Sequence, residues 1–202
     1  PTYAPEPTRP PSMMHDGDND PSGHGDYTVW QWKIHERLSF ISSKDIDTPG
    51  TAQYKAAQWM LHQDEMGYNS DSPYLYQRFV LAIFYFKMEG TPCFDLNESV
   101  DECTWDKTGC NTDGFVTKLS LANCNVGGVI PTEIPWGFDL LELLDLSGNK
   151  LVGTIPAELD LLKRLESLYL DGNENLEGEV PSLLCVRKEK GYLVHFTVQC
   201  SG

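Results

Sequence analysis

The chain is predicted to be α+β: an N-terminal helical subdomain followed by a short disulfide-capped solenoid of about three repeats plus a terminal cap strand. Three observations in the 202 residues predict this. Apolar residues recur at helical spacing from Tyr27 to about Gly90, a leucine pattern recurs at a near-fixed interval from Val116 onward, and all six cysteines lie in the second half. An apolar content of 40% is enough to fill a core, which excludes a wholly disordered chain.

Charge excludes other classes. Thirty Asp and Glu against fifteen Lys and Arg give a net charge of -15, shared by both halves, and this balance repels phosphate backbones and anionic membrane surfaces. No basic patch is visible along the chain, so no nucleic-acid partner is expected. The most apolar run, Phe79 to Phe86, is far shorter than the roughly 20 residues needed to cross a bilayer. No direct membrane span is expected. A start at Pro1 with no signal-peptide pattern suggests a processed or trimmed product.

Residues 1-26 hold six prolines, three glycines and four aspartates, a composition that cannot bury enough surface to offset its ordering entropy. An extended, Pro-rich acidic arm is expected there, held in place only by a neighbouring molecule. Helices should follow over residues 27-90. Val29, Trp30, Ile34, Leu38 and Ile41 mark the apolar stripe of the first. Thr48-Pro49-Gly50 opens the second, with Tyr54, Ala57, Trp59 and Leu61 on and beside its apolar side. Ser72 as N-cap with Pro73 at the first helical position starts the third, which runs to about Met88 and is apolar nearly all round, so it should sit between other elements.

Residues 91-115 form a Cys-containing N-terminal cap and residues 116-181 the repeats, which align as Val116-Leu119-Leu121, Leu141-Leu144-Leu146 and Leu165-Leu168-Leu170. A looser Leu193-Phe196-Val198 falls in a C-terminal cap over 182-202, and the offsets are 25, 24 and 28 residues. Three units continue alike, with Cys124, Asn149 or Asn173, then Gly128, Gly153 or Gly178, then Ile130-Pro131, Ile155-Pro156 or Val180-Pro181. Alternating leucines put the apolar side of a short strand inward. The Asn149 and Asn173 amides should satisfy backbone groups where the chain turns in. One unit alone cannot bury its leucines, whereas a stack can.

The motif L-x-x-L-x-L-x-x-N-x-L-x-G-x-I-P resembles the plant-type extracellular leucine-rich repeat, and Cys103-Thr-Trp105 through Gly109-Cys110 resembles its C-x-W-x-G-x-x-C cap with one extra residue. With the helical stretch ending QRFVLAIFYF and the closing PSLLC…LVHFTVQC, residues 27-202 are similar to helical-domain plus leucine-rich-repeat proteins of diatoms and other stramenopile algae. The resemblance implies a secreted or cell-surface interaction module without chemistry of its own.

No C-x-x-C pair is present to grip zinc, so disulfides and an oxidising compartment are favoured. Six cysteines permit 15 pairings. Spacing favours Cys103 with Cys110 and Cys185 with Cys200, leaving Cys93 with Cys124. The resemblance implies that the first two pairs seal the ends of the stack, while Cys124 is either bonded to Cys93 or a buried thiol. Asn97-Glu98-Ser99 is an N-glycosylation acceptor sequence.

No hydrolase elbow, zinc-protease or phosphate-loop motif occurs, so the chain is not expected to be an enzyme and no cofactor is called for. Asp16, Asp18 and Asp20 copy the first half of a calcium loop, but Pro21 replaces the turn glycine and Tyr27 the bidentate Glu. A solvated acidic linker outweighs a weak calcium site, with His15 and His24 as idle flanks. Outward strand positions should form a concave binding face: Lys118, Ser120, Asp145, Ser147, Tyr169, Asp171 and His195, with Ala122, Leu143, Ser167, Thr197 and Gln199 beside them. Tyr169 is the anchor candidate. Trp136 is either exposed or core. Two functions are therefore expected to compete: a structural or adhesive subunit binding a protein partner or self-associating through residues 1-26, and a ligand-recognition ectodomain or hydrolase inhibitor using the concave face.

Overall fold

The computed structural model describes residues 28-90, 92-96 and 100-197. The arm at 1-26 with Asp16, Asp18 and Asp20, the acceptor Asn97, and Cys200 lie outside them. Helix α1 (Val29–Ser42) opens on a reciprocal cap. The Gln31 backbone N–H donates to Thr28 Oγ1 at 3.3 Å, while Thr28 N–H donates to Gln31 Oε1 at 2.9 Å. Of the expected stripe, Ile34 and Leu38 are fully buried, Trp30 and Ile41 half-buried, and Val29 in the first turn is exposed. Helix α2 (Ala52–His62) starts at Thr51, whose Oγ1 accepts from Tyr54 N–H at 3.0 Å, so Thr48 to Gly50 form the turn before it.

Helix α3 (Leu75–Lys87) begins two residues later than Ser72-Pro73 suggests. Ser72 Oγ accepts from Tyr74 N–H at 3.3 Å and caps a preceding turn rather than the helix. Phe79 through Phe84 are all fully buried, as an all-round apolar surface requires of a central helix. The same helix also buries Arg78 completely, which no apolar pattern announces. Its guanidinium bonds Asp64 at 2.6 and 2.7 Å and Glu102 at 3.1 Å, beneath the rings of Trp59, Tyr68 and Trp105 at 5.2 to 5.6 Å. Burial works against the Arg78 charge, but the Asp64 and Glu102 carboxylates hold its pKa above the ordinary value. Burial pushes Glu102 up, and Arg78 and Gln77 oppose that rise.

Strand β1 (Thr108–Cys110) runs antiparallel to β2 (Val116–Ser120). Then β4 (Leu143–Asp145), β6 (Ser167–Tyr169) and β8 (His195–Phe196) add in parallel, giving one sheet in the order β1-β2-β4-β6-β8. Between them β3 (Gly127–Gly128), β5 (Lys150–Gly153) and β7 (Asn175–Leu176) form a second, parallel sheet. Each repeat returns through a helical turn: α4 (Ile134–Gly137), a 3-10 turn (Ala157–Leu161) and α5 (Ser182–Glu189). Leu119, Leu144 and Leu168 pair across the first sheet and are fully buried.

The asparagines act as expected. Asn149 Oδ1 accepts from Cys124 N–H and Val126 N–H, both at 3.0 Å, while its Nδ2 donates to the carbonyls of Leu121 and Leu146 at 2.8 Å. Asn173 does the same one repeat on, taking Leu151 N–H and giving to Leu146 and Leu170. Just before them the backbone turns left-handed, at Gly148 (φ 64) and Gly172 (φ 70), with Asn123 (φ 55) filling this position in the first repeat.

Disulfides join Cys93 to Cys124 and Cys103 to Cys110. Cys185 is also disulfide-bonded. Helices and repeats share one continuous core. Glu133, almost fully buried, accepts from Ser42 Oγ at 2.8 Å and Gln53 Nε2 at 3.0 Å, tying α4 to α1 and α2. Met88 bridges Val126, and Glu89 N–H donates to the Asn125 carbonyl, so the exit of α3 lies against the first repeat.

Candidate binding face and terminal groove

Strand register builds the outward face of the first sheet. Lys118, Leu143, Ser167 and His195 form one row across it, and Ser120, Asp145 and Tyr169 the next. Lys118, Ser120, Asp171, His195 and Thr197 are exposed, while Asp145, Ser147, Tyr169, Leu143 and Ala122 are half-buried. Ser167 is a correction: only 9% of it is exposed, so it is not part of a binding face. Its neighbours in the row are the larger Leu143 and His195, which leave a small serine at the bottom.

Two features order this face. The Tyr169 and His195 rings stack at 6.1 Å and 20°, making a flat aromatic platform next to the terminal strand. Asp145 Oδ1 accepts from Ser147 N–H at 3.0 Å and Ser147 Oγ at 2.6 Å, which fixes the carboxylate at the strand end. Thr197 Oγ1 accepts from the backbone of Leu170 at 3.0 Å, so it caps the edge of the third strand. Asp145 and Asp171, with Glu142 and Glu166 ahead of their strands, outnumber Lys118 and leave the face acidic. Such a surface can bind, but it shows no paired nucleophile and base. Among the described residues there is no group of three His, Cys, Asp or Glu placed to hold a metal ion.

Sequence reasoning missed a groove of about 810 Å³ at the far end of the stack. Lys163, Arg164, Arg187 and Lys190 line it, together with Leu183, Val186, Tyr192, Val194 and the acids Glu142, Asp160 and Glu166. No single stretch reads as a basic patch because two segments about a repeat apart supply these cations. Their shared signal is the run Arg187-Lys188-Glu189-Lys190 in an otherwise acidic chain.

Trp136 proves half-exposed and meets Phe40 of α1 edge-on at 5.7 Å. Leu161 and Val186 occupy the same place in the next two turns, each the fifth residue after Pro131, Pro156 and Pro181, and all three are exposed. That regularity was legible in the sequence. Among the described residues, no helix is long and apolar enough to cross a membrane.

Comparison with known proteins places the repeats. The leucine rich repeat family model matches residues 116–174. An inactive leucine-rich repeat receptor-like serine/threonine-protein kinase of Arabidopsis thaliana is 39% identical over 84 residues, 42% of this chain and 13% of that protein. The leucine-rich repeat receptor-like kinase RGI4 of the same plant is 46% identical over 79 residues, 39% of this chain and 7% of that protein. The chain thus spans a small part of these relatives, and the kinase domains they are named for lie outside the match. Among solved structures, the BIR2 ectodomain from Arabidopsis thaliana is 27% identical with a TM-score of 0.39, covering 50% of this chain and 65% of that one. Residues 116–174 are leucine-rich repeats similar to those of plant receptor ectodomains, joined here to a helical segment through a common core.

Proposed function

We propose that the protein is a non-catalytic extracellular module that recognises a protein partner on the exposed face of its five-stranded sheet. One observation carries this reading: the register aligns Lys118, Ser120, Asp145, Tyr169 and His195 on one surface, with Tyr169 and His195 stacked as an anchor at its edge. Disulfides joining Cys93 to Cys124 and Cys103 to Cys110 support an oxidising compartment. In this reading residues 27-90 are a helical subdomain, 91-115 and 182-202 are caps on a solenoid, Cys185 pairs with Cys200, and Asn97 carries glycan. The similarity of residues 27-202 to stramenopile proteins belongs to the same reading. A structural role through residues 1-26 uses a separate surface.

The test is to pan a displayed peptide library on the immobilised full chain and titrate the selected peptides. Tyr169→Ala should weaken binding about 10- to 30-fold, as expected for an aromatic hot spot, and Val129→Ser, at the exposed residue just after β3, should leave it unchanged. Selected peptides that bind the Tyr169→Ala chain as tightly as the native one would refute the reading.

A further inference from the structure

The terminal groove differs from the rest of the surface in two ways. It gathers Lys163, Arg164, Arg187 and Lys190 in a chain of net charge -15, and it leaves large apolar side chains in water. Tyr192 is 65% exposed, Val194 62% and Leu183 57%. Three such residues around one concavity mark an interaction surface rather than scattered exposure. Part of its wall is rigid. Arg187 donates to the carbonyls of Leu162 at 2.8 Å and Leu165 at 2.9 Å, which ties α5 to the preceding repeat. Lys163 is partly engaged by Asp160 at 3.4 Å, whereas Arg164 and Lys190 are exposed at the rim. Glu142 and Glu166 lie directly before β4 and β6 of the first sheet, while Asp160 sits beside Lys163.

We infer that this groove binds the chain's own residues 1-26. That segment has matching chemistry. Its first half is Pro-rich, includes Pro7-Thr8-Arg9-Pro10 and carries its one cation, Arg9, while its second half carries Asp16, Asp18, Asp20 and Asp26. A P-x-x-P segment presents a stiff, low-entropy ridge that docks against an exposed aromatic ring, here Tyr192. Arg9 then faces Glu142 and Glu166, and the aspartates face Arg164, Lys163 and Lys190. A groove filled by a second copy gives a head-to-tail contact, which propagates unless rotation closes it into a ring.

The experiment uses the full chain carrying Asp16→Lys, Asp18→Lys and Asp20→Lys, so that its own arm no longer competes. A fluorescent peptide of residues 1-26 is titrated into it. The peptide should bind, and at least tenfold more weakly after Arg164→Glu with Lys190→Glu or after Tyr192→Ala, with the first effect fading as salt is raised. A peptide with the three aspartates changed to lysine should instead bind a chain that carries Arg164→Glu and Lys190→Glu and keeps its own Asp16, Asp18 and Asp20. All three positions are exposed, so thermal melts should be unchanged. Sedimentation of the native chain then identifies the source. Association that grows with concentration means a second copy supplies the arm, and a monomer whose arm crosslinks to its own groove means the same copy does. Binding no better than that of a scrambled peptide, or indifferent to the groove substitutions, overturns the inference. Tyr169→Ala leaves this binding unchanged, so failure here is separable from failure of the sheet-face reading.

Discussion

Arg78 shows how one side chain can hold two chain segments together. It lies at the junction of α3, the turn at Asp64 and the 3-10 turn at Glu102, with its own charge and both carboxylates almost entirely out of water. Such a triad is stabilising only while complete, since removing one member strands the others. Arg78→Met should therefore cost about 3–5 kcal/mol in chemical denaturation. Its pH dependence follows from Glu102. A carboxyl whose folded pKa lies above its unfolded value takes up a proton on folding, so the penalty is absent below the unfolded pKa and complete above the folded one. Burial already raises Glu102, and losing Arg78 removes the largest influence opposing the rise, leaving Gln77. The Arg78→Met deficit should thus shrink as the pH falls toward the acid range, and a deficit that grows on acidification would contradict this account. Glu133 makes a similar point about what residues reveal alone. It occupies the place that Glu158 holds in the next repeat, yet Glu158 is exposed and Glu133 buried. Only the helices packed over the first repeat distinguish them.

At the level of elements, α3 and α4 approach so closely that only glycine fits between. A Cβ on Gly137 would lie 2.7 Å from Val80 Cγ2 and 2.8 Å from the Tyr76 carbonyl oxygen, and a backbone atom cannot move aside cheaply. Gly137→Ala should lower stability by about 1–3 kcal/mol, the usual cost of overpacking. A neutral outcome in a thermal melt would mean that the helices do not seat on the repeat as described. Strands and their turns were legible in the sequence because the signals are local. Leu144, Asn149 and Gly153 each state their role within one repeat, and Leu168, Asn173 and Gly178 state it again. The seating of α3 on α4 was not legible, because Gly137 and Val80 are distant in sequence and neither is unusual where it stands. The groove was missed for the same reason, since Arg164 and Lys190 come to line one concavity only when α5 packs beside the third repeat.

Across the whole molecule, the two described disulfides differ in span. Cys103–Cys110 spans a sequence separation of 7 just before the first repeat, whereas Cys93–Cys124 spans 31 and links the segment after α3 to that repeat. Loop-closure entropy then makes the second the larger constraint on the unfolded chain, by about 1 kcal/mol in that model. Replacing Cys93 and Cys124 by alanine should lower the unfolding midpoint further than replacing Cys103 and Cys110. The reverse order would show that the long bridge adds little to a fold already held by its common core.

The antiparallel strand β1 has a further effect, on how such an architecture can be lengthened. By running antiparallel beside β2 it occupies the edge on which a further parallel repeat would have to pair. The tier from Leu146 to Leu170, by contrast, receives and presents the same parallel edge. A duplicated module of that length could be spliced in there, widening the exposed face of the first sheet while the helical half remained undisturbed.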